Sequence, residues 1–358
     1  MKILVVPYRD AYFWSVYGAA VRDLQVIEIL SRSHDLTVVN RPVSIYERCT
    51  TKRSVPKVSA VSERVRFVDS TSFDLIGPLK GRAWTSYCYT SLLNKILAEE
   101  SYDLILDFSP FSIFYEKSMG AKYWYDLIDN FTKHNRYTER ERELVNQKYK
   151  HVGAVADLVT GVSQMAIDEV SASQVSVMPN GIYREGGRQS DCLIGGAGYE
   201  FDFGFVGFVT DKLDVEFINY LSERWSVVVY GKAFDSSVVS SLAPGVHYRG
   251  GFSYSDLPSI MRTFKVGLLP YVAKKCHDES PLKLYEYFKY AKPCLTSINY
   301  EIESEFVANY SSLEDEKFDA VVERFFLISG SGSILAEIQE EWSLDWRIRQ
   351  HLEMLCGP

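Results

Sequence analysis

The sequence predicts an α/β protein built from two doubly wound domains in tandem. Length, continuous apolar runs, and a restart of the strand–helix rhythm after a glycine-rich break carry that prediction. At 358 residues the chain exceeds one ordinary hydrophobic core. Its short apolar runs are continuous rather than alternating, which suits parallel strands buried on both faces. Helical segments lie between them, the pattern of a parallel sheet covered on both sides.

In order, KILVV (2–6) is followed by a helical segment opening near Tyr17, with Ala19, Ala20, Val26, Ile27 and Leu30 on one stripe. Strand-like runs follow at LTVV (36–39), VRFV (65–68), LILDF (104–108), YWYDLI (123–128), DLVTGV (157–162) and VSVM (175–178). The stretch 179–201, PNGIYREGGRQSDCLIGGAGYEF, holds six glycines and little periodicity, and marks a domain boundary. The rhythm then restarts: FDFGFVGFV (201–209), a helix near 213–223, WSVVVYG (225–231), a helix near 234–242, VHYRG (246–250), SDLPSIMR (255–262), KVGLLPY (265–271) and CLTS (294–297). The end of the chain reads as one or two helices, ILAEIQEEW and LDWRIRQHLEML. The expected organisation is a first domain over residues 1–182, a second over 183–335, and C-terminal helices over 336–358 that pack back on the first.

An apolar content of 46% with 14% aromatics describes a folded globular chain. A net charge of −8 argues against a nucleic-acid footprint. Residues 41–66 nevertheless carry seven Lys/Arg against two Glu, either as a solvated loop or as a contact for an anionic membrane surface. The cysteines at 49, 88, 192, 276, 294 and 356 contain no C-x-x-C, and the scatter reads as free thiols in a reducing compartment. The N-terminal apolar run is too short for a signal peptide, and no window reaches the ~18 apolar residues of a membrane span. The expectation is a cytoplasmic protein whose membrane contact, where there is any, is peripheral.

The chemistry concentrates in ESPLKLYEYFKYAKP (279–293). Ser280 is expected to cap a helix with Pro281 at its first position, and Pro293 ends it. Lys283 and Glu286, three residues apart, share a face that Tyr287 and Tyr290 continue. A helix N-terminus offers unpaired N–H groups and partial positive charge, a setting for phosphate. Lys283 adds a full charge to neutralise a diphosphate. Glu286, one turn deeper, can accept two hydrogen bonds from a ribose diol. The plain alternative is a surface helix whose Lys283–Glu286 pair contributes only a few tenths of a kcal/mol.

In context, LLPYVAKKCHDESPLKLYEYFKYAKPCLTS resembles the C-terminal motif of the retaining GT-B glycosyltransferases, in particular the large bacterial group that builds surface polysaccharides and carries an E-x7-E pattern. DLVTGVSQMAIDEV, VSVMPNGI, FGFVGFV and VHYRGGFSYSDLPSIM resemble other segments of that family in the same order. The resemblance implies a GT-B fold, with two Rossmann-like domains facing a cleft. It implies transfer of a sugar, with retention, from a nucleotide-diphosphate sugar to a hydroxyl of a glycan or lipid-linked acceptor. By the same resemblance Glu286 is the ribose ligand. Asp278 stands where the family has its first glutamate, with Glu279 as the alternative. Ser280, Pro281, Leu282 and Lys283 form the phosphate-facing helix start. Gly207 is the loop glycine beside phosphate and Gly18 its counterpart after the first strand. Lys212 lies near a second basic position, Phe252 falls by the nucleobase, and Ala291 replaces the usual glycine before Lys-Pro.

In YWYDLIDNF, Tyr125 takes the position where the family often has histidine. Asp126 and Asp129 lie at the strand's carboxyl end, where either could orient or deprotonate an acceptor hydroxyl. Asp129 could instead cap the turn beginning NFTKH. The charged segment 131–150 reads as a solvated helix or a contact for an anionic lipid-linked acceptor. No G-x-G-x-x-G follows the first strand, no Walker loop is present, and the six histidines show no metal-ligand spacing. A metal-independent reaction without a cofactor is therefore expected, the leaving diphosphate being stabilised by Lys283 and the helix N–H groups. Two rivals stand beside this reading: a GT-B nucleotide-sugar epimerase, and a non-catalytic two-domain sugar-binding protein.

Overall fold

The chain forms two compact units, one of Met1–Pro179 with Arg347–Pro358 and one of Asn180–Trp346. The computed structural model describes every residue except 18–20, 52–62, 74–81, 114–119, 135–136, 185–197, 277–279, 301, 303 and 358.

The first unit is a seven-stranded parallel sheet: β1 (Lys2–Val6), β2 (Asp35–Val39), β3 (Val65–Val68), β4 (Leu104–Asp107), β5 (Lys122–Leu127), β6 (Leu158–Gly161) and β7 (Val175–Val177). Its strands lie in the order β3-β2-β1-β4-β5-β6-β7. In β1 the side chains of Ile3, Leu4, Val5 and Val6 are all fully buried, as strands covered on both faces require. Parallel pairing of β1 with both β2 and β4 sets Val5 beside Val38 and Leu106.

The second unit repeats the arrangement with β8 (Phe201–Val206), β9 (Val227–Tyr230), β10 (Val246–Gly250), β11 (Phe264–Leu269), β12 (Cys294–Thr296) and β13 (Val307–Asn309). These strands are also parallel and are ordered β10-β9-β8-β11-β12-β13. In both units the order reverses beside the first strand, and the crevice at the carboxyl ends there is where open α/β sheets bind ligands.

The structure departs from the sequence-based expectations at several elements. The helix expected near Tyr17 is two helices, Ala11–Tyr17 and Arg22–Ser31. The charged segment 131–150 is a short turn, Phe131–Lys133, followed by a helix over Glu139–Val155. Thr138 and Glu141 open that helix with a reciprocal capping box. The turn at Phe131 starts from Asn130 with no side-chain cap, so Asp129 does not cap it. Strand β13 was not foreseen, because three residues flanked by polar positions carry too little periodicity to register.

The C-terminal region is a helix Gly332–Glu337, a turn Glu340–Trp342 and a helix Leu344–Cys356. Within the second unit the Trp342 turn accepts a 2.7 Å hydrogen bond from the Ile182 N–H. Gly181 permits this approach, because a Cβ there would lie 2.7 Å from the Leu344 nitrogen. Within the first unit His351 stacks on Trp124 with ring centroids 6.1 Å apart, and its Nε2 lies 3.0 Å from the Ser176 hydroxyl. Cys49, Cys88, Cys276, Cys294 and Cys356 are free thiols. Among the described residues no helix is long and apolar enough to cross a membrane.

Candidate functional site

The helix of the 279–293 segment spans Leu282–Lys289. Its N-cap is Pro281, which makes no side-chain cap bond. Ser280 therefore does not cap the helix as expected. Its hydroxyl instead accepts from the Asn180 N–H at 3.0 Å, while the Asn180 amide donates to the Ser280 carbonyl. The helix start is thus tied to the turn at Asn180, and its first N–H groups lack intrahelical acceptors.

Lys283 lies in the first turn and folds over the end of β8. Its ammonium donates to the Tyr271 hydroxyl and sits 5.3 Å from the centroid of the Phe205 ring. Its stem crosses Gly207, where a Cβ would overlap the lysine Cε. Gly207 has φ +148°, a conformation that only glycine adopts readily. Behind it Gly231, at φ +155°, is pressed against the Gly207 carbonyl oxygen. The glycine loop is therefore a floor on which one lysine lies, and backbone can approach a ligand closely there.

Glu286 is 9% exposed. Its Oε1 accepts from the Tyr254 hydroxyl at 2.6 Å, whereas its Oε2 is buried with no hydrogen-bond partner. Burial raises the carboxyl pKa above its usual range, opposed by the nearby Lys289 charge and by the Tyr254 hydroxyl. An acid left half-satisfied at this depth costs stability unless something bonds the second oxygen.

The Schellman turn at the helix end explains the remaining geometry. The Lys292 N–H donates to the Tyr287 carbonyl at 2.9 Å and the Ala291 N–H to the Phe288 carbonyl at 2.9 Å. That places Ala291 in the left-handed region with φ +51°, the position a glycine would occupy without strain. The alanine is thus a backbone liability as well as a packing difference.

The other expected residues distribute unevenly. Lys212 is half-buried, and its carbonyl accepts from the Val272 N–H at 2.8 Å. This fastens its loop beside Tyr271, the partner of Lys283. Phe252 is half-buried in the turn after β10 and packs on the second unit's core. Pro281 is buried and Leu282 half-buried at the helix start. Of the two lysines in the loop after β11, Lys275 is paired with Asp211 at 3.3 Å and Lys274 is exposed. Both line an open groove of about 1020 Å³ that also includes Tyr271. Gly18, Asp278 and Glu279 lie outside the described residues.

In the first unit, Asp126 is fully buried and saturated. The Arg22 guanidinium grips it through Nε at 2.8 Å and Nη2 at 3.1 Å, and the Thr160 hydroxyl donates at 2.7 Å. Thr160 in turn accepts from the Trp124 indole at 2.8 Å. Asp126 thus ties three elements of the unit together and presents no oxygen to solvent. Asp129 is only half-buried. Beside the ends of β1, β2 and β3 is a pocket of about 140 Å³ lined by Asp10, Asn40, Arg41, Arg48, Asp69 and Thr71, among others. Among the described residues no group of three or more His, Cys, Asp or Glu is placed to hold a metal ion.

Sequence reasoning missed Tyr271, Tyr254 and Asn180, which position Lys283, Glu286 and Ser280. All three stand inside segments singled out from the sequence, but only the fold reveals which side chain each one holds.

No protein-family model and no curated protein sequence matches the chain. Solved structures do. Sucrose-phosphate synthase from Thermosynechococcus elongatus superposes with a TM-score of 0.68 at 11% identity, covering 99% of this chain and 98% of that one. The lipopolysaccharide outer core galactosyltransferase WaaB, in its apo form, gives 0.62 at 13% identity, over 99% of each chain. AviGT4, a glycosyltransferase involved in avilamycin A biosynthesis, gives 0.62 at 13% identity, over 100% of this chain and 99% of that one. The chain therefore has the GT-B fold, with two Rossmann-like α/β units.

Proposed function

We propose that the protein is a glycosyltransferase that binds the nucleotide end of a nucleotide-diphosphate sugar in its second unit. It then moves the sugar to a hydroxyl of a glycan or lipid-linked acceptor, with retention of configuration, in surface polysaccharide assembly. A fold alone does not assign an activity. The observation that carries the reading is Glu286, a buried carboxylate with one oxygen unpartnered, one turn deeper than the lysine that lies across the Gly207 loop. That layout fits a nucleoside diphosphate: the diol hydroxyls donate to Glu286, and the diphosphate meets Lys283 and the N–H groups of the helix start.

As the sugar–phosphate bond breaks, negative charge grows on the departing diphosphate. Lys283 and the helix N–H groups stabilise that charge from positions already fixed by Tyr271 and by the Asn180–Ser280 contacts. The reaction thereby needs no metal, so chelators should leave turnover unchanged. Lys212 and Phe252 complete the phosphate and nucleobase surroundings. On the acceptor side, Asp129 orients the attacking hydroxyl, whereas Asp126 is committed to Arg22. The pocket at Asn40 and Arg48 offers amide, guanidinium and carboxylate groups suited to sugar hydroxyls. The basic segment within 41–66 attracts an anionic acceptor or membrane surface.

A thermal-shift panel of UDP, GDP, ADP and TDP tests the binding half. A ligand at a hundredfold excess over its dissociation constant should stabilise the protein by about 2.7 kcal/mol. Absence of any shift across the panel would remove the reading. Incubating the responding donor sugar without acceptor separates transfer from epimerisation, because only an epimerase yields the epimeric sugar, whereas a transferase gives at most hydrolysis to the original sugar.

A further inference from the structure

We infer that Tyr254 is a positioning residue for the nucleotide: its hydroxyl fixes the Glu286 carboxylate in one orientation and leaves Oε2 as the oxygen that reads the ribose diol. The inference rests on the nucleotide-binding reading above and extends it to a residue that touches no ligand.

Tyr254 opens a short turn, Tyr254–Asp256, after β10. That turn is locked by a reciprocal cap in which the Asp256 carboxylate accepts from the Ser253 N–H at 3.0 Å. The ring is half-buried against the core of the second unit, so the hydroxyl is delivered from a fixed base. It donates to Glu286 Oε1 across 32 residues of chain at 2.6 Å. A carboxylate with both oxygens free can rotate about its last bond and lose orientation. With Oε1 pinned, Oε2 is held at one place, buried and unpartnered. The hydroxyl also favours the ionised carboxylate, which can accept from both hydroxyls of a diol, over the acid, which must donate one proton of its own.

Among the described residues, the groups acting on that carboxylate are few. Lys289 of the same helix favours ionisation, as Tyr254 does, and burial opposes both. The helix also packs on β11 and on the Gly332–Glu337 helix. From β11, the Lys265 ammonium is taken by Asp202 at 2.8 Å. The Gly332–Glu337 helix ends on a second carboxylate, Glu337.

The test compares binding of UDP, or whichever diphosphate the panel selects, with that of its 2′,3′-dideoxy analogue, by calorimetry between pH 5 and pH 8, for the wild-type chain, Tyr254→Phe and Glu286→Gln. The difference between the two ligands isolates the diol and cancels titration of the phosphate. For the wild type the ribose ligand should bind more tightly, and this preference should shrink as pH falls. Tyr254→Phe should lose roughly threefold to tenfold of the preference at pH 7, and the remainder should fade at a higher pH than in the wild type. Its affinity for the dideoxy analogue should be unchanged, a result that general loosening of the fold would not give. A Tyr254→Phe protein with wild-type preference and pH profile overturns the inference alone. A wild type with no preference for ribose overturns the nucleotide reading beneath it.

Discussion

Two carboxylates, one in each unit, are buried to nearly the same degree and differ in what is left over. Asp126 is fully enclosed and receives three hydrogen bonds, two of them from a guanidinium. Glu286 is 9% exposed and receives one, with its second oxygen unpartnered. Burial alone does not separate them. Hydrogen-bonding capacity does: the saturated acid holds the fold together, and the half-satisfied one keeps an oxygen open to a further donor.

The contrast can be broken most forcefully at Asp126. Asp126→Ala removes the carboxylate that the buried Arg22 guanidinium grips and should cost about 3–5 kcal/mol, measured by urea unfolding. A loss below about 1 kcal/mol would show that the pair is dispensable and reopen Asp126 as a functional group. Glu286→Gln should act in the opposite manner, weakening nucleoside diphosphate binding by about 1.5–3 kcal/mol while leaving the empty protein folded.

Stability of the empty protein sharpens the point with a sign. Burial raises the Glu286 pKa in the folded state above its usual 4.5. The protonated form is then favoured by folding, so its contribution is complete below pH 4.5 and is lost as pH rises through the folded value. Relative to Glu286→Gln, the wild type should therefore become less stable from pH 4.5 upward. A flat difference between the two proteins would mean that the acid is not strained by burial.

Gly207→Ala forces a side chain into the path of Lys283 at φ +148°. It should cost on the order of 1–3 kcal/mol and displace the lysine, so diphosphate affinity falls with stability. Ala291→Gly should do the reverse, gaining about 1 kcal/mol by relieving the left-handed alanine while leaving binding untouched. Differential calorimetry of both variants reads the two signs together.

The fold was legible because its signals are local and repeated. Runs such as KILVV and WSVVVYG contain β1 and β9, since a strand buried on both faces is apolar along most of its length. The short β13 and the separate helices Ala11–Tyr17 and Arg22–Ser31 were not legible, because neither leaves a periodic trace. At the site, the shared face of Lys283 and Glu286 was readable from helical spacing. What distinguishes them from a surface pair was not. It depends on Tyr254 and Tyr271, which reach across 32 and 12 residues of chain, and on a glycine floor that only the folded backbone defines. Ser280 misled for a related reason: it has the chemistry of a helix cap, yet Asn180, 100 residues away, claims its hydroxyl.

The central claim is that Glu286 and Lys283 hold the two ends of a nucleoside diphosphate. A crystal structure with the tightest-binding diphosphate of the panel tests it directly. The ribose hydroxyls should donate to Glu286 Oε2, with the phosphates against the Lys283 ammonium and the N–H groups at Leu282. A nucleotide bound elsewhere, with Glu286 still unpartnered, would contradict the account.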